Sequence, residues 1–263
     1  MEWGPAYILL GAFIGFFAGL LGLGGGMIMV PLLVFLFDAQ HFASRYILHM
    51  ALGTAMATIV FTSISSLWAH HRHGAVNWRI VRAITPGILV GTLLGSLLVG
   101  WISTKVLAVF FTAFVYFAAT QMMLGLKPKP TRQLPGRSGM FAAGGIIGGV
   151  SSLVAAGGSV LSVPFMTLCN IKLHQAIGTS SAIGFPIAVA GTLGYIATGL
   201  AAPMPSYSLG FVYLPALAGV AIASILTAPL GAKMAHRLPV STLRRIFAVI
   251  LYILASKMLI GLL

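Results

Sequence analysis

Two glycine-rich segments carry the residues best suited to bind a ligand. The first reads GLLGLGGGMIMVPLL over residues 19–33, and the second reads SLVAAGGSVLSVPFM over residues 152–166. A glycine run that interrupts a helix leaves N–H groups without an intrahelical acceptor, and such amides at a helix start bind anions. Glycine also lets a ligand approach the backbone closely. The pattern predicts an anion site formed by Gly24, Gly25, Gly26, Gly157, Gly158 and Ser159.

Small polar residues follow each glycine-rich segment. The first copy reads HMALGT over residues 49–54, and the second reads HQAIGTSS over residues 174–181. Hydroxyl groups are neutral donors that suit an oxyanion. We therefore predict further substrate contacts from Gly53, Thr54, Gly178, Thr179 and Ser180. A structural alternative is equally compatible with the pattern, because the same hydroxyls can cap a helix or bond to a neighbouring helix.

Histidines offer two further kinds of chemistry. His49 and His174 recur at the same place in the two copies, and each is a possible proton relay or an interfacial histidine without such a role. His70, His71 and His73 form a cluster that offers nitrogen ligands to a metal ion. Because no Asp, Glu or Cys accompanies the cluster, we expect neither a metal site nor a cofactor.

Acidic residues are nearly absent, which narrows the chemistry. The chain has two, Glu2 and Asp38, and neither lies deep in an apolar run where it would bind Na⁺ or relay protons. The sequence also lacks a Gly-x-Ser-x-Gly elbow, and its glycine runs lack the Gly-Lys-Ser/Thr ending of a phosphate-binding loop. These absences disfavour an enzyme and a carboxylate-based cation transporter.

The composition places these motifs in a membrane. Of the 263 residues, 59% are hydrophobic and 6% are charged, against about 25% charged in a soluble domain. The net charge of +13 comes mostly from Lys and Arg in short breaks between apolar runs. Such a distribution indicates membrane topology rather than a nucleic-acid partner. With no basic segment near Met1 to suggest a cleavable signal peptide, we expect a multi-pass protein of the cell inner membrane, with the lipid bilayer as its surroundings.

Most of the apolar runs have the length of one membrane-crossing helix. The run over 173–232 divides at 199–207, where two prolines indicate a turn. The runs over 3–37 and 138–171 would extend about 50 Å as continuous helices, against about 30 Å of hydrocarbon. Each of these two runs is therefore predicted to break at its glycines.

The chain is a tandem duplication. A shift of 133 residues aligns Gly11 with Gly144 and Pro31 with Pro164, and a shift of 136 aligns Tyr116 with Tyr252. We predict a first transmembrane repeat over 1–126, a cytoplasmic linker over 127–137 and a second transmembrane repeat over 138–263.

The basic residues indicate how the repeats are oriented. If each glycine-broken run is a hairpin that enters the membrane and returns, one side holds Arg45 and Lys105. The other side then holds Arg72, Arg79, Arg82, Lys127, Lys129, Arg132, Arg137, Lys172, Lys233, Arg237, Arg244 and Arg245. This asymmetry follows the positive-inside rule, whereas single crossings would divide the charges evenly. The prediction is an all-α membrane protein of two inverted repeats, each beginning with a glycine-broken helical hairpin, with 8 to 10 membrane segments and both termini outside.

The duplicated glycine motif with its Val-Pro pair, followed in each half by a Gly-Thr span, resembles the sulfite exporter TauE/SafE family. The resemblance covers essentially the whole chain. It implies a transporter of small sulfur-containing or organic anions, such as sulfite, thiosulfate, sulfonates or sulfoacetate, with the glycine motifs along the pathway. Two other functions stay open from the residues: a metal-ion permease that uses the histidine cluster, and an intramembrane enzyme or assembly factor. The exact substrate, the direction of transport and the oligomeric state are not encoded in these patterns.

Overall fold

The computed structural model describes residues 3–21, 25–125, 131–235 and 240–262. These residues form ten α-helices and one short β-hairpin. The helices are α1 (Gly4–Leu21), α2 (Gly26–Ala39), α3 (Ile47–Arg72), α4 (Trp78–Val99), α5 (Thr104–Leu124), α6 (Arg137–Val154), α7 (Ser159–Leu168), α8 (Leu173–Gly199), α9 (Leu214–Ala235) and α10 (Val240–Leu262). Strands β1 (Ser208–Leu209) and β2 (Val212–Tyr213) pair antiparallel between α8 and α9.

The architecture is that of an all-α membrane protein. Among the described residues, α3, α4, α5, α8 and α9 are long and apolar enough to cross a membrane, and α1, α2 and α7 contribute shorter apolar helices. Of the five long helices, α3 and α8 are the most buried, with 78% and 67% of their most apolar windows inside the protein. The core therefore lies around α3 and α8, and the other spans expose large apolar side chains that suit contact with lipid.

Both long apolar runs break at their glycines, as predicted. Gly25 precedes α2 with a φ of 65°, a left-handed conformation that glycine adopts without a steric penalty. Between α6 and α7, three of four residues have positive φ: Ala155 at 48°, Gly157 at 56° and Gly158 at 80°. These angles end one helix and redirect the chain into the next.

Each broken run folds back on itself. The side-chain amide of Gln40, at the end of α2, donates a 2.6 Å hydrogen bond to the hydroxyl of Tyr7, near the start of α1. In the second half, the amides of Thr131 and Arg132, just before α6, donate to the carbonyl of Leu168 at the end of α7. The helix pairs α1–α2 and α6–α7 are therefore hairpins, and the two breaks form their tips.

The central helices α3 and α8 run antiparallel. Toward one end, the Met56 sulfur lies 3.1 Å from the position that a Cβ atom would occupy on Gly191. Toward the other end, the Ser66 hydroxyl donates to the Ser181 hydroxyl over 3.3 Å. As the residue number rises along α3, that of the contacting residue in α8 falls.

Helices α5 and α10 also run antiparallel. The hydroxyl groups of Tyr116 and Ser256 lie 2.5 Å apart, and so do those of Thr120 and Tyr252. A shift of 136 residues exchanges these two pairs with each other. The same contact is thus made twice, once from each half of the chain.

Glycines allow the outer helices to pack closely, which is their structural role. A Cβ atom on Gly11 of α1 would lie 2.5 Å from the Val220 carbonyl oxygen of α9, and one on Gly148 of α6 would lie 2.6 Å from the Ile88 carbonyl oxygen of α4. Further glycines of these helix pairs meet the facing helix in the same way: Gly15, Gly87, Gly91, Gly95 and Gly144. This is the close backbone approach that small residues permit between membrane helices.

The helix directions define two ends of the molecule. At the charge-poor end, where α2 ends and α3 begins, Arg45 lies in the α2–α3 loop and Lys105 lies in the first turn of α5. The Thr104 hydroxyl donates to the Arg45 carbonyl there. At the basic end, where α3 ends and α4 begins, the described basic residues are Arg72, Arg79, Arg82, Arg132, Arg137, Lys172 and Arg245.

Candidate functional site

The two hairpin tips meet in the centre of the protein. Gly26, the first residue of α2, lies directly against the carbonyl oxygen of Ala155, and a Cβ atom there would collide with it. The side chain of Ile59 lies between the tips, 2.9 Å from the Cβ position of Gly26 and 3.9 Å from that of Gly157. The carbonyl of Gly157 faces Gly184 of α8, at 3.1 Å from its Cβ position. The structure thus brings both breaks and both central helices to one place.

Backbone donors begin at these tips. In α2 the first intrahelical bonds run from Ile28 and Met29 to the Gly25 carbonyl, so the amides of Gly26 and Met27 have no acceptor within the helix. In α7 the corresponding first bonds run to the Gly158 carbonyl. Two helix starts, each with a positive dipole end, therefore lie at the centre of the fold.

A buried hydroxyl without a partner lies beside the second tip. The Ser151 side chain is fully buried, and its oxygen has no hydrogen-bond partner among the described residues. Ser151 shares a face of α6 with Ile147, one turn earlier, and Ile147 contacts the Cβ position of Gly158 at 4.0 Å. An unsatisfied buried hydroxyl costs about 1–3 kcal/mol, which a polar ligand at the tip would offset.

The predicted glycines have different local surroundings. Gly25 packs against Ile14 of the same hairpin, and a Cβ atom on Gly158 would lie 2.5 Å from the Ile187 side chain. Among the described residues, the Ile59 side chain is the one neighbour within 4 Å of the Cβ position of Gly157. Ser159 is buried at the start of α7. Gly24 lies outside the described residues.

Gly53, Thr54, Gly178 and Thr179 are not brought to the tips. Each Gly-Thr pair lies about 7.5 Å along its helix from the central residues, Ile59 in α3 and Gly184 in α8, at 1.5 Å per residue. Both Gly-Thr pairs instead lie where the first half of the chain contacts the second, a region that we call the junction.

The junction contacts are reciprocal. The Thr54 hydroxyl accepts a 3.0 Å hydrogen bond from the amide of Tyr213, just before α9, and the Thr179 hydroxyl accepts one of 3.0 Å from the amide of Asn77, just before α4. Gly53 and Gly178 leave room for the carbonyls of Phe211 and Ala75, each 2.6 Å from the glycine's Cβ position. These contacts fit the structural alternative of the sequence pattern, a hydrogen bond between elements.

Between the tips and the basic end, the predicted Ser180 is joined by serines that the sequence pattern did not assign to the site. Ser162 of α7 donates to the predicted Ser180 of α8 over 2.8 Å. Ser63 of α3 lies against Gly184. Together with the Ser66–Ser181 pair, they form a set of hydroxyls on one side of the tips, which we call the serine path: Ser63, Ser66, Ser162, Ser180 and Ser181.

Comparison with known proteins assigns the chain to a family. The family model described as Sulfite exporter TauE/SafE matches residues 7–258. The chain belongs to the TauE/SafE family. It is 39% identical over 254 residues to a probable membrane transporter protein of Haemophilus influenzae, covering 95% of this chain and 96% of the relative. It is 25% identical to a probable membrane transporter protein of Methanocaldococcus jannaschii, with 97% and 95% covered, and 25% identical to the probable membrane transporter protein YdhB of Bacillus subtilis, with 88% and 90% covered. No solved structure matches significantly.

Membership in the TauE/SafE family makes the chain a membrane transporter and not an enzyme. The relatives' names specify no substrate. The fold agrees with this assignment, because two broken hairpins that meet inside a helical membrane protein are a recurrent design of transporters.

The two equivalent histidines of this TauE/SafE protein differ in their surroundings. His49 is buried, and its Nε2 lies 3.1 Å from both the Val99 and Ile102 carbonyl oxygens at the end of α4. Since carbonyls only accept, Nε2 carries a hydrogen and caps that helix end. His174 is exposed at the basic end. The structure therefore places neither predicted proton relay at the tips.

The histidine cluster has other partners. The His71 Nδ1 accepts a 3.3 Å hydrogen bond from the Trp78 indole, and the Arg72 guanidinium lies over the Trp68 ring at 3.6 Å. Within the described residues, no group of three or more His, Cys, Asp or Glu side chains is arranged to hold a metal ion. These contacts fit an aromatic and basic membrane boundary at this end.

Thr54→Val and Thr179→Val are each expected to destabilise the protein by about 1–3 kcal/mol, because each leaves a backbone N–H without its acceptor. Thermal unfolding in detergent measures the effect, and flux per folded molecule should be retained. Thr85→Val is the matched control, since the Thr85 hydroxyl donates to the Val81 carbonyl of its own helix. If the variants instead have normal stability but no flux, Thr54 and Thr179 contact the substrate.

Proposed function

We propose that this TauE/SafE protein transports small sulfur-containing or organic anions, of the sulfite, thiosulfate, sulfonate or sulfoacetate type, across the cell inner membrane. The anion binds between the two hairpin tips near the bilayer midplane. The observation that carries this proposal is the meeting of the two breaks, where Gly26 lies against Ala155. Two helix starts, the buried Ser151 hydroxyl and the room that the described residues leave at Gly157 favour an anionic ligand there.

We propose further that the halves over 1–126 and 138–263 are inverted repeats. The pairs α3–α8 and α5–α10 join equivalent helices, and both pairs run antiparallel. The reciprocal junction at Thr54 and Thr179 also supports a two-fold relation in the membrane plane. With the basic end in the cytoplasm, both chain termini lie outside.

The orientation leads to a prediction about topology. Reporters fused after Lys129 and after Arg237 are expected to be cytoplasmic, and reporters at either terminus external, because the basic residues concentrate at one end. Alkaline phosphatase and fluorescent-protein fusions in intact cells measure this. A cytoplasmic C-terminus would contradict the inverted arrangement.

The serine path supports entry of the anion from the basic end. The Ser66–Ser181 pair near that end is the counterpart, on a shift of 125 residues, of the Met56–Gly191 pair near the other end. Ser66 and Ser181 are partly exposed, whereas Met56 and Gly191 are buried. Hydroxyls replace some of the hydration of an oxyanion, and a methionine does not. The buried Met56–Gly191 pair therefore closes the charge-poor side of the tips.

The flux itself provides the test of function. No carboxylate is predicted inside a span, so export of a monoanion is expected to proceed as uniport driven by the membrane potential. Moving one negative charge outward gains about 2.3 kcal/mol per 100 mV, equivalent to a gradient of about 50-fold. Proteoliposomes loaded with sulfite, thiosulfate, a sulfonate or a carboxylate, with the potential set by K⁺ and valinomycin at fixed pH, measure this. A flux that does not change with the membrane potential but increases after a pH step would refute uniport. The absence of flux for all four anions would refute the proposed substrate class.

A further inference from the structure

A cavity of about 520 Å³ opens at the charge-poor end, away from the hairpin tips. It lies between the end of α2, the start of α3, the α4–α5 connection and the end of α10. Arg45 of the α2–α3 loop and Lys105 of the first turn of α5 line it. Because this end has few charged residues, the two cations make the cavity a local concentration of positive charge.

The remaining lining groups suit an anion. Ser44 and Ser103 add hydroxyls, whereas the Thr104 hydroxyl already donates to the Arg45 carbonyl. Ser103 and Tyr46 precede α5 and α3, so two positive helix ends face the same space. The carbonyls at the end of α4 would repel an anion, but His49 at the cavity wall already caps them.

One group opposes an anion. Asp38, near the end of α2, also lines the cavity, and its carboxylate offsets part of the positive charge. With Arg45 and Lys105 opposite one carboxylate, the charged side chains of the cavity sum to a positive value.

We propose that this cavity is a second anion site, which binds a small oxyanion through Arg45, Lys105 and the neighbouring hydroxyls. The oxyanion is either free in solution or part of a lipid headgroup, because both present the same chemistry to these residues. On the proposed function, the site lies on the exit side of the tips and holds the anion after release. Its binding chemistry is independent of transport.

Cysteine labelling tests the site in the purified full-length protein. Ser44→Cys in a Cys169→Ala background places one thiol in the cavity. The measured quantity is the labelling rate with an anionic methanethiosulfonate reagent divided by the rate with a cationic one. This ratio is expected to be about 10-fold higher than in the same protein carrying Arg45→Gln and Lys105→Gln. Asp38→Asn should change the ratio in the opposite direction. Lys257→Gln is the control, since Lys257 is exposed on α10 but does not line the cavity.

Protection from labelling identifies the ligand. Millimolar sulfate and a soluble short-chain phosphatidylglycerol are each added to the Ser44→Cys protein before the reagent. Protection that is lost with Arg45→Gln and Lys105→Gln supports the site, and the better protector identifies the source of the oxyanion. Protection by neither, or an unchanged reagent ratio, overturns the proposal. A variant that blocks the tips should lose flux and keep this labelling pattern, so that failure of the central site and failure of this one are distinguishable.

Discussion

Gly157→Leu is expected to reduce anion flux in proteoliposomes to background while the protein still folds. Gly157 is the glycine of the second tip whose Cβ position has the most room among the described residues, with the nearest of them 3.9 Å away. A leucine there occupies the volume proposed for the anion without colliding with the backbone. The positive φ of 56° costs about 1–2 kcal/mol for a residue with a side chain, which lowers stability modestly. Flux per folded molecule and the thermal midpoint are the two measurements.

Gly74→Leu controls for that backbone strain. Gly74 has a similar φ of 64°, and no described residue lies within 4 Å of its Cβ position, but it belongs to the loop between α3 and α4. It should lose the same stability and keep its flux. Full flux in Gly157→Leu would mean that the anion passes elsewhere and that the tip glycines serve the fold alone.

Ser181→Met is expected to lower flux by at least about 10-fold, because it places a methionine at the position equivalent to Met56. An apolar closure like the one that Met56 forms on the charge-poor side would then be present on both sides of the tips. The lost hydroxyl also removes the hydrogen bond that Ser181 accepts from Ser66. Initial rates of thiosulfate or sulfite flux in proteoliposomes measure the effect.

Thr192→Met tests whether added bulk on α8 explains such a result. Thr192 is a partly exposed hydroxyl residue of the same helix, bonded to the Ala188 carbonyl of its own helix. It should keep its flux. Equal loss in both variants, or no loss in Ser181→Met, would show that the serine path does not conduct the anion.

The helices and their breaks were predictable because they follow from lengths and charges. Runs too long for the bilayer had to break, and the uneven distribution of Lys and Arg favoured hairpins, which the Tyr7–Gln40 contact bears out. The prolines were less informative. Pro31 and Pro164 lie inside α2 and α7, so the glycines before them make the breaks. The β1–β2 hairpin has two residues per strand and leaves too short a pattern to predict.

The site was harder to predict because its surroundings depend on contacts between distant residues. The sequence of a Gly-Thr repeat is the same whether its hydroxyl contacts a substrate or a backbone amide. The Thr54–Tyr213 and Thr179–Asn77 contacts, which favour the second role, depend on residues far away in the sequence. The serine path was hidden for a related reason. Ser66 and Ser181 are in different halves, and their difference from Met56 and Gly191 emerges only when antiparallel helices are aligned.

The reciprocal junction bears on how such a chain arose. Each half supplies a threonine hydroxyl to a loop amide of the other half, so neither half completes this contact alone. On the proposed inverted arrangement, an ancestral single unit would have made the same contacts only by pairing with an identical copy inserted upside down. On that arrangement, the ancestor would have needed dual topology, and therefore nearly balanced charges on its two sides. Fusion of two such copies would have fixed one orientation for each half and allowed Lys and Arg to concentrate at one end.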